Sequence, residues 1–235
     1  METSALYASP ITGLGTDLRA RFLEGLATGE LKVVLGAATQ RRLLAKSVVT
    51  NHGDAANHLF LLTKGRARFF YITSEGRRIL LHWLTPGEIF GVMSILPNSS
   101  SYLVSTEMVK DSLVLVWDRA TIRDLVARYP RLAVNALSTA SDYLALYVAT
   151  HLALICDTAR QRFAQMLVNL ARGIGQRVPH GVELDVTNEE LANAANVTVF
   201  TASRLLSEWQ RNGALVKSRG KILLRSPERL FLREV

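Results

Sequence analysis

Residues 186–206 read VTNEELANAANVTVFTASRLL, and this stretch decides the fold of the C-terminal part of the chain. Thr187 is well suited to cap a helix, and Glu190 follows three residues later, as a capping box requires. Asn196 can supply a tight turn, and Thr198 offers a second N-cap. The stretch therefore predicts two short helices joined by a turn.

The second of these helices is expected to be amphipathic. Its apolar stripe is Ala202, Leu205, Leu206 and Trp209. Its outward face carries Val199, Phe200, Ser203, Arg204, Ser207 and Arg211. A helix pair whose second member presents a small, polar and basic face suits the major groove of DNA. An ordinary helical hairpin is the alternative.

A β-hairpin, or wing, is expected after this helix pair. Gly213 ends the second helix, and strand-like runs at 214–217 and 222–225 flank the turn Ser218-Arg219-Gly220-Lys221. Residues 158–235 contain 12 Lys and Arg against 7 Asp and Glu, a net charge of +5, whereas residues 1–157 contain 16 against 13. Basic charge is thus denser around the helix pair, as a polyanionic partner requires. A solvated basic face would show the same charge.

Composition limits the protein class. The chain has 235 residues, enough for two modest domains, and no apolar run of about 18 residues that would predict a membrane span. The first ten residues lack the pattern of a secretory signal, so we expect a cytoplasmic protein with no membrane partner. The single cysteine, Cys156, excludes an intramolecular disulfide and an iron–sulfur cluster.

No enzyme class is indicated by the sequence. It lacks a P-loop, a Gly-x-Ser-x-Gly elbow and a His/Cys set with metal-ligand spacing, so neither catalysis nor a metal site is expected. Asp54, Glu88 and Asp185 are isolated carboxylates near turns, where solvation is the ordinary role.

The N-terminal half predicts a short helix followed by a β-domain. Leu14 to Ala27 has an amphipathic pattern, and strands then recur between turn signals, which is typical of a β-sandwich or barrel. The predicted strands are Leu43–Val49, His58–Leu62, Arg66–Ile72, Arg77–Leu84 and Leu113–Trp117. Asp118 is expected to cap a helix over Arg119–Arg128.

A long helix is expected from Pro130 to about Cys156. Apolar and aromatic side chains recur on it at heptad spacing and form an a/d seam, namely Leu137, Ala140, Leu144, Tyr147, His151 and Leu154. This face could pack on the β-domain of its own chain. A dimer seam is the other interpretation, since helix-turn-helix proteins use two copies to span two half-sites.

The order of these elements resembles that of the CRP/FNR family of bacterial transcription regulators. Residues 60–68 (FLLTKGRAR) resemble a strand and glycine turn of the family's β-roll. Residues 84–91 (LTPGEIFG) resemble the turn into its effector pocket, and 162–170 (RFAQMLVNL) the first helix of its DNA domain. The resemblance covers roughly residues 15–225.

This resemblance implies an α+β protein in three parts. A double-stranded β-helix, or jelly roll, is expected as the sensor domain over residues 1–129, a dimerisation helix over 130–156, and a winged helix-turn-helix over 158–235. It further implies a homodimer that binds double-stranded, pseudo-palindromic DNA and contacts RNA polymerase if it activates transcription.

The effector site departs from the cyclic-nucleotide binders that the chain resembles. Those proteins place a glutamate after the glycine matched by Gly91, and an Arg-Ser pair on the cyclic phosphate. Here residues 92–96 (VMSIL) and 99–102 (SSSY) stand in those places. A phosphate buried without a guanidinium keeps much of its charge uncompensated, so cyclic AMP is not expected. The expected pocket comprises Phe90, Gly91, Val92, Met93, Ser94, Ser100, Ser101, Tyr102, Tyr147, Val148 and His151.

Two alternatives stay open at this point, because the effector is unidentified. One is a haem-based gas or redox sensor, in which Met93 could ligate iron with His82 nearby in sequence. The other is a cyclic-nucleotide-responsive regulator with an atypical pocket.

For DNA reading, the resemblance places Val199 and Phe200 where other members use an Arg-Glu pair, and Arg204 at the third reading position. An arginine there can bond the O6 and N7 atoms of guanine together. An ion pair with Glu208, four residues on, is the alternative role of Arg204. The expected DNA-binding residues are Thr187, Asn188, Thr198, Val199, Phe200, Thr201, Ser203, Arg204, Lys217, Arg219 and Lys221.

Overall fold

The computed structural model describes residues 20–98 and 100–232. The chain divides into two compact units between Leu144 and Ala145, inside a long helix. The domain bounds predicted from the sequence, which set that helix apart as a segment of its own, stay a prediction.

The first unit is built on two four-stranded antiparallel sheets. The first sheet contains, side by side, β1 (Thr39–Leu43), β8 (Ser112–Asp118), β3 (His58–Lys64) and β6 (Ile89–Phe90). The second contains β2 (Val48–Thr50), β7 (Ser105–Met108), β4 (Ala67–Ile72) and β5 (Arg78–Leu84). The chain passes repeatedly from one sheet to the other, which confirms the predicted β-roll.

Two apolar clusters stabilise this unit. Side chains from both sheets form the first, which is rich in aromatic rings: Phe60, Phe69, Phe90 and Tyr102 are among its buried members. The second joins the other face of the first sheet to three helices, α1 (Thr28–Gly36), α2 (Arg119–Arg128) and α3 (Arg131–Cys156). Burial of each large apolar side chain contributes about 1.5–3 kcal/mol before entropy is counted.

The helix predicted over Leu14–Ala27 is wrong where it can be checked. Residues 14–19 lie outside the described part of the chain, and residues 20–27 contain only a 3-10 turn at Arg21–Leu23. Gly25, at φ +75°, ends this turn. The helix begins instead at Thr28, where the Glu30 carboxylate accepts a 2.8 Å hydrogen bond from the backbone N–H of Ala27.

The single strand predicted over Leu43–Val49 is two strands. β1 ends at Leu43 and β2 begins at Val48, and between them Lys46 has a left-handed φ of +69°. The sequence did not predict this turn, because residues 43–49 are mostly apolar and contain no glycine or proline. The short strands β6 and β7 were not predicted either, since neither shows a clear alternation.

The helices after the β-roll follow the prediction closely. The Asp118 carboxylate accepts a 2.9 Å hydrogen bond from the N–H of Thr121 and caps α2. α3 follows Pro130 and extends to Cys156. By length and composition α3 could cross a membrane, with a mean hydropathy of 1.2 over its most apolar window, none of which is buried. Polar residues interrupt the apolar ones along this helix, which is why the sequence predicted no membrane span.

Within the first unit, the seam residues of α3 are not packed on the β-roll. Leu137 and Leu144 are 68% and 65% exposed, and Ala140, His151 and Leu154 are exposed as well. Tyr147 is half-buried. Packing of the seam on the β-roll is therefore wrong for Leu137, Ala140 and Leu144, and use of the seam by a second copy stays a prediction.

The second unit carries three further helices and one antiparallel sheet. The helices are α4 (Ala159–Gly173), α5 (Asn188–Ala194) and α6 (Val199–Arg211). The strands lie in the order β11 (Leu215–Ser218), β12 (Lys221–Leu224), β10 (Gly181–Asp185) and β9 (Gln176–Val178). The hairpin of β11 and β12 is the predicted wing, whereas β9 and β10 were not predicted. Helices and sheet together confirm a winged helix-turn-helix.

Candidate nucleic-acid interface and effector site

The helix pair of the second unit is held by its caps. The hydroxyl of Thr187 accepts from the N–H of Glu190 at 3.2 Å, and the Thr187 N–H donates to the Glu190 carboxylate at 2.8 Å. Asn196 has a φ of +50° and makes the turn. Thr198 then caps α6 by accepting from the N–H of Thr201 at 3.1 Å. These contacts confirm both predicted N-caps and the turn between them.

Packing beneath α6 fixes which face it presents. All four residues of the predicted apolar stripe are buried, and the Trp209 ring stacks on Phe163 of α4 with centroids 5.5 Å apart. Because this stripe is sealed within the second unit, the helix can turn only its opposite face to a partner. Val199, Phe200, Arg204, Ser207 and Arg211 are exposed on that face, and Ser203 is half-buried.

Arg204 does not form the ion pair that the sequence allowed. The Glu208 carboxylate pairs instead with Arg160 of α4, whose guanidinium also lies 5.5 Å from the centre of the Trp209 ring. Within residues 20–98 and 100–232, Arg204 has neither a hydrogen bond nor an ion pair. Its guanidinium is therefore free to form both hydrogen bonds to one acceptor pair.

The wing presents three basic side chains of unequal availability. Arg219 is exposed at the tip and Lys217 is half-buried on β11. The Lys221 ammonium lies 2.7 Å from the Glu183 carboxylate, and this hydrogen bond raises the pKa of Lys221. Lys221 must share or break this pair before it contacts a phosphate. Thr187 and Asn188 lie at the start of α5, and DNA contact by all these residues stays a prediction.

The predicted effector pocket begins at a glycine that no other residue can replace without strain. Gly91 has a φ of +80°, and a Cβ atom there would stand 2.4 Å from the backbone oxygen of His58. Next to it, Phe90 stacks on Phe60 with ring centroids 4.6 Å apart. The Tyr102 hydroxyl donates to the His58 oxygen at 3.2 Å and accepts from the His58 N–H at 3.1 Å. Aromatic rings thus fill this end of the β-roll.

At residues 100 and 101, where the cyclic-nucleotide binders that the chain resembles place an Arg-Ser pair, the chain is polar but not cationic. Ser100 donates through its hydroxyl to the backbone oxygen of Met93 at 2.6 Å, and the exposed Ser101 forms an isolated antiparallel β-bridge with Ala55. Arg119 reaches this loop, yet its guanidinium donates to the backbone oxygens of residues 56, 96 and 98. That guanidinium is occupied in fixing the loop.

The other predicted pocket residues divide between the two units. Val92, Met93 and Ser94 form a 3-10 turn after Gly91, and the buried Ser94 hydroxyl has no partner in the part of the chain that the structure describes. Tyr147, Val148 and His151 belong to the second unit, Tyr147 being half-buried and the other two exposed. A shared pocket of these eleven residues stays a prediction.

A cluster that sequence reasoning did not single out lies between the β-roll and α3. The Glu88 carboxylate lies 3.1 Å from His82 Nε2 and accepts from the Tyr143 hydroxyl at 3.2 Å and from the Thr85 hydroxyl at 2.6 Å. Burial alone would raise the pKa of Glu88. The hydrogen bonds from His82 and Thr85 outweigh burial and hold this pKa below its ordinary value. From the sequence, Glu88 was expected to have only a solvated role. The one signal for this cluster was Tyr143, which lies one helical turn before the predicted pocket residue Tyr147.

A small cavity of about 110 Å³ adjoins this cluster. It is lined by Arg21, Phe22, Gly87, Glu88, Ile89, Thr139, Asp142 and Tyr143, and Arg21 pairs with Asp142 on its wall. None of the predicted pocket residues contributes to this lining.

Two protein-family models match the chain. Residues 40–129 match the cyclic nucleotide-binding domain, and residues 161–231 match the Crp-like helix-turn-helix domain. The first match covers most of the β-roll and α2, and the second covers the helix pair and the wing.

Individual proteins resemble the chain over most of its length. The Cyclic AMP receptor protein of Thermus thermophilus is 28% identical over 212 residues, which cover 90% of this chain and 94% of that protein. The Fumarate and nitrate reduction regulatory protein of Escherichia coli is 26% identical over 165 residues, covering 69% and 65%. The solved structure of the c-di-GMP responsive global regulator CLP of Xanthomonas campestris has the same fold, with a TM-score of 0.74 at 20% identity and coverage of 84% and 99%.

Proposed function

This chain belongs to the CRP/FNR family of transcription regulators, and from that premise we propose that it reads a specific DNA sequence under the control of an effector other than cyclic AMP. Regulators of this family bind DNA and dimerise. The proposal includes a homodimer in the cytoplasm, a pseudo-palindromic site, and contact with RNA polymerase where transcription is activated. It assigns no catalytic step to the chain.

One observation carries the DNA-binding part of the proposal. Arg204 lies on the exposed face of a helix whose other face is sealed in its own unit, and it has no partner among the described residues. A guanidinium that is neither paired nor buried is ready to bond guanine in the major groove. Arg219 and Lys217 on the wing would supply phosphate contacts that position the helix without reading sequence.

Selection from a random duplex library tests this part. The full-length protein should enrich a two-fold symmetric site whose half-sites are centred about one helical turn, 34–36 Å, apart. Each half-site should contain a guanine at a fixed position, because Arg204 makes the most specific contact available to one side chain. Enrichment of no sequence over the starting library would contradict the proposed function.

The effector part rests on the chemistry of the predicted pocket. The Arg119 guanidinium, which reaches residues 96 and 98, donates to three backbone oxygens, and the Ser100 hydroxyl donates to another. A cyclic phosphate in this place would lack a charged partner, which costs several kcal/mol for a buried anion. The names of the relatives support no single effector, since one is a cyclic AMP receptor and another is c-di-GMP responsive.

Cyclic AMP at millimolar concentration is therefore expected to leave affinity for the selected duplex unchanged within about twofold, measured by fluorescence anisotropy. The Thermus relative would serve as the positive control for cyclic AMP activity. Native mass spectrometry of the purified protein would identify a retained molecule, and a Soret band in its absorbance spectrum would support the haem alternative. A larger increase in affinity with cyclic AMP would overturn this part of the proposal and leave DNA binding intact.

A further inference from the structure

The first two residues of α6 are apolar and exposed. Phe200 is 78% exposed, the most of any large apolar side chain in the described part of the chain, and its neighbour Val199 is 50% exposed. The rest of the outward face is polar or basic. No ring contact engages Phe200 within the described residues. This side chain therefore leaves about a whole phenyl ring in water unless a partner covers it.

We propose that Phe200 is a specificity residue that reads the 5-methyl group of a thymine, an inference that rests on the proposed DNA binding. Phosphates offer this ring no apolar surface. Of the base edges in the major groove, the thymine methyl is the apolar group, and phenylalanine is one of the side chains that contact it. The N-terminal residues of a recognition helix are those that meet base edges, and Phe200 is the second residue of α6.

The helix also fixes how far this thymine lies from the guanine. Phe200 and Arg204 are four residues apart, so their side chains lie on the same face about 6 Å apart along the axis. DNA rises about 3.4 Å per base pair. The thymine read by Phe200 should therefore lie within about two base pairs of the guanine read by Arg204, in every half-site.

The test removes one methyl group at a time from the selected duplex. Each thymine in a half-site is replaced by uracil, which keeps every hydrogen-bonding group and lacks only the methyl. At the position read by Phe200, affinity should fall about fourfold per half-site, because the complex no longer gains the free energy of burying one methyl group. Uracil at other positions should change affinity by less than about twofold.

The variant F200A identifies the side chain responsible. It should bind thymine and uracil duplexes equally, so the losses from the variant and from the uracil should not add. F231A is the matched control, because Phe231 is also an exposed phenyl ring of the second unit but is not part of α6. Its neighbour Leu232 accepts a hydrogen bond from Arg160 of α4 through its backbone oxygen. F231A should retain the full preference for thymine.

The outcomes separate this inference from the proposed function. If the protein selects a site but is indifferent to every uracil, Phe200 does not read a methyl, while sequence-specific binding stands. If F200A still prefers thymine, another side chain contacts the methyl. If no sequence is selected, the proposed function itself fails.

Discussion

Replacing Arg204 by alanine should lower affinity for the selected duplex by about 1–3 kcal/mol per half-site, which is about 5-fold to 150-fold for each. The reason is the loss of a bidentate contact to guanine, which no neighbouring side chain can supply. Arg204 is exposed and unpaired in the described residues, so its loss costs the folded protein almost nothing. Binding to unrelated DNA should stay nearly unchanged, which competition anisotropy with random duplex would measure.

Two variants make this expectation specific. R204K keeps the charge but loses the planar fork, so it should bind the selected site more weakly than the parent protein while keeping its affinity for unrelated DNA. R211A removes the same charge at the far end of α6, about two helical turns away, and should weaken all sequences to a small and equal extent. Equal losses of specific and non-specific binding in R204A would reduce Arg204 to a phosphate contact.

The part of the fold that local signals determine was predictable from the sequence. The capping box of α5, the N-cap Thr198, the turn at Asn196 and the stripe that ends at Trp209 each depend on residues within one or two helical turns. The same holds for the cap at Asp118. These elements are correct because nothing distant has to be known to place them.

Elements set by tertiary contacts were missed. α1 has no capping side chain at Ala27 and gains its stability from Val34, which is fully buried and whose oxygen accepts from the Trp117 indole at 2.8 Å. The two-residue strand β6 exists only because Phe90 and Ile89 pair with β3. No window of sequence contains both partners of such contacts.

The candidate sites also contain parts that local sequence determines and parts that tertiary contacts determine. The reading face of α6 follows from helical periodicity, and so could be derived. That Glu208 turns to Arg160 and leaves Arg204 free depends on α4, 48 residues away in the chain. The cluster of Glu88, His82 and Tyr143 likewise joins a turn, a strand and a helix. Spacing along the chain does not predict contacts between residues of three separate elements.

The largest effect on assembly is expected from L144D. Leu144 is 65% exposed in the described chain and belongs to the a/d seam that we propose as the dimer interface. A carboxylate at the centre of that seam would be buried without a partner in both copies, which costs several kcal/mol. The dimer dissociation constant should rise at least about a hundredfold. Affinity for a duplex with two half-sites should fall with it, while affinity for a single half-site should change little.

A matched control lies about two helical turns further along α3. Leu152 is 54% exposed but follows the seam residue His151 by one position, where a two-stranded seam leaves side chains in water. L152D should therefore stay dimeric in analytical ultracentrifugation. Both variants should keep the helical circular dichroism of the parent protein, because neither leucine is part of a core. A dimeric L144D would contradict the assigned seam, and a monomeric L152D with a dimeric L144D would move the interface to the neighbouring face of α3.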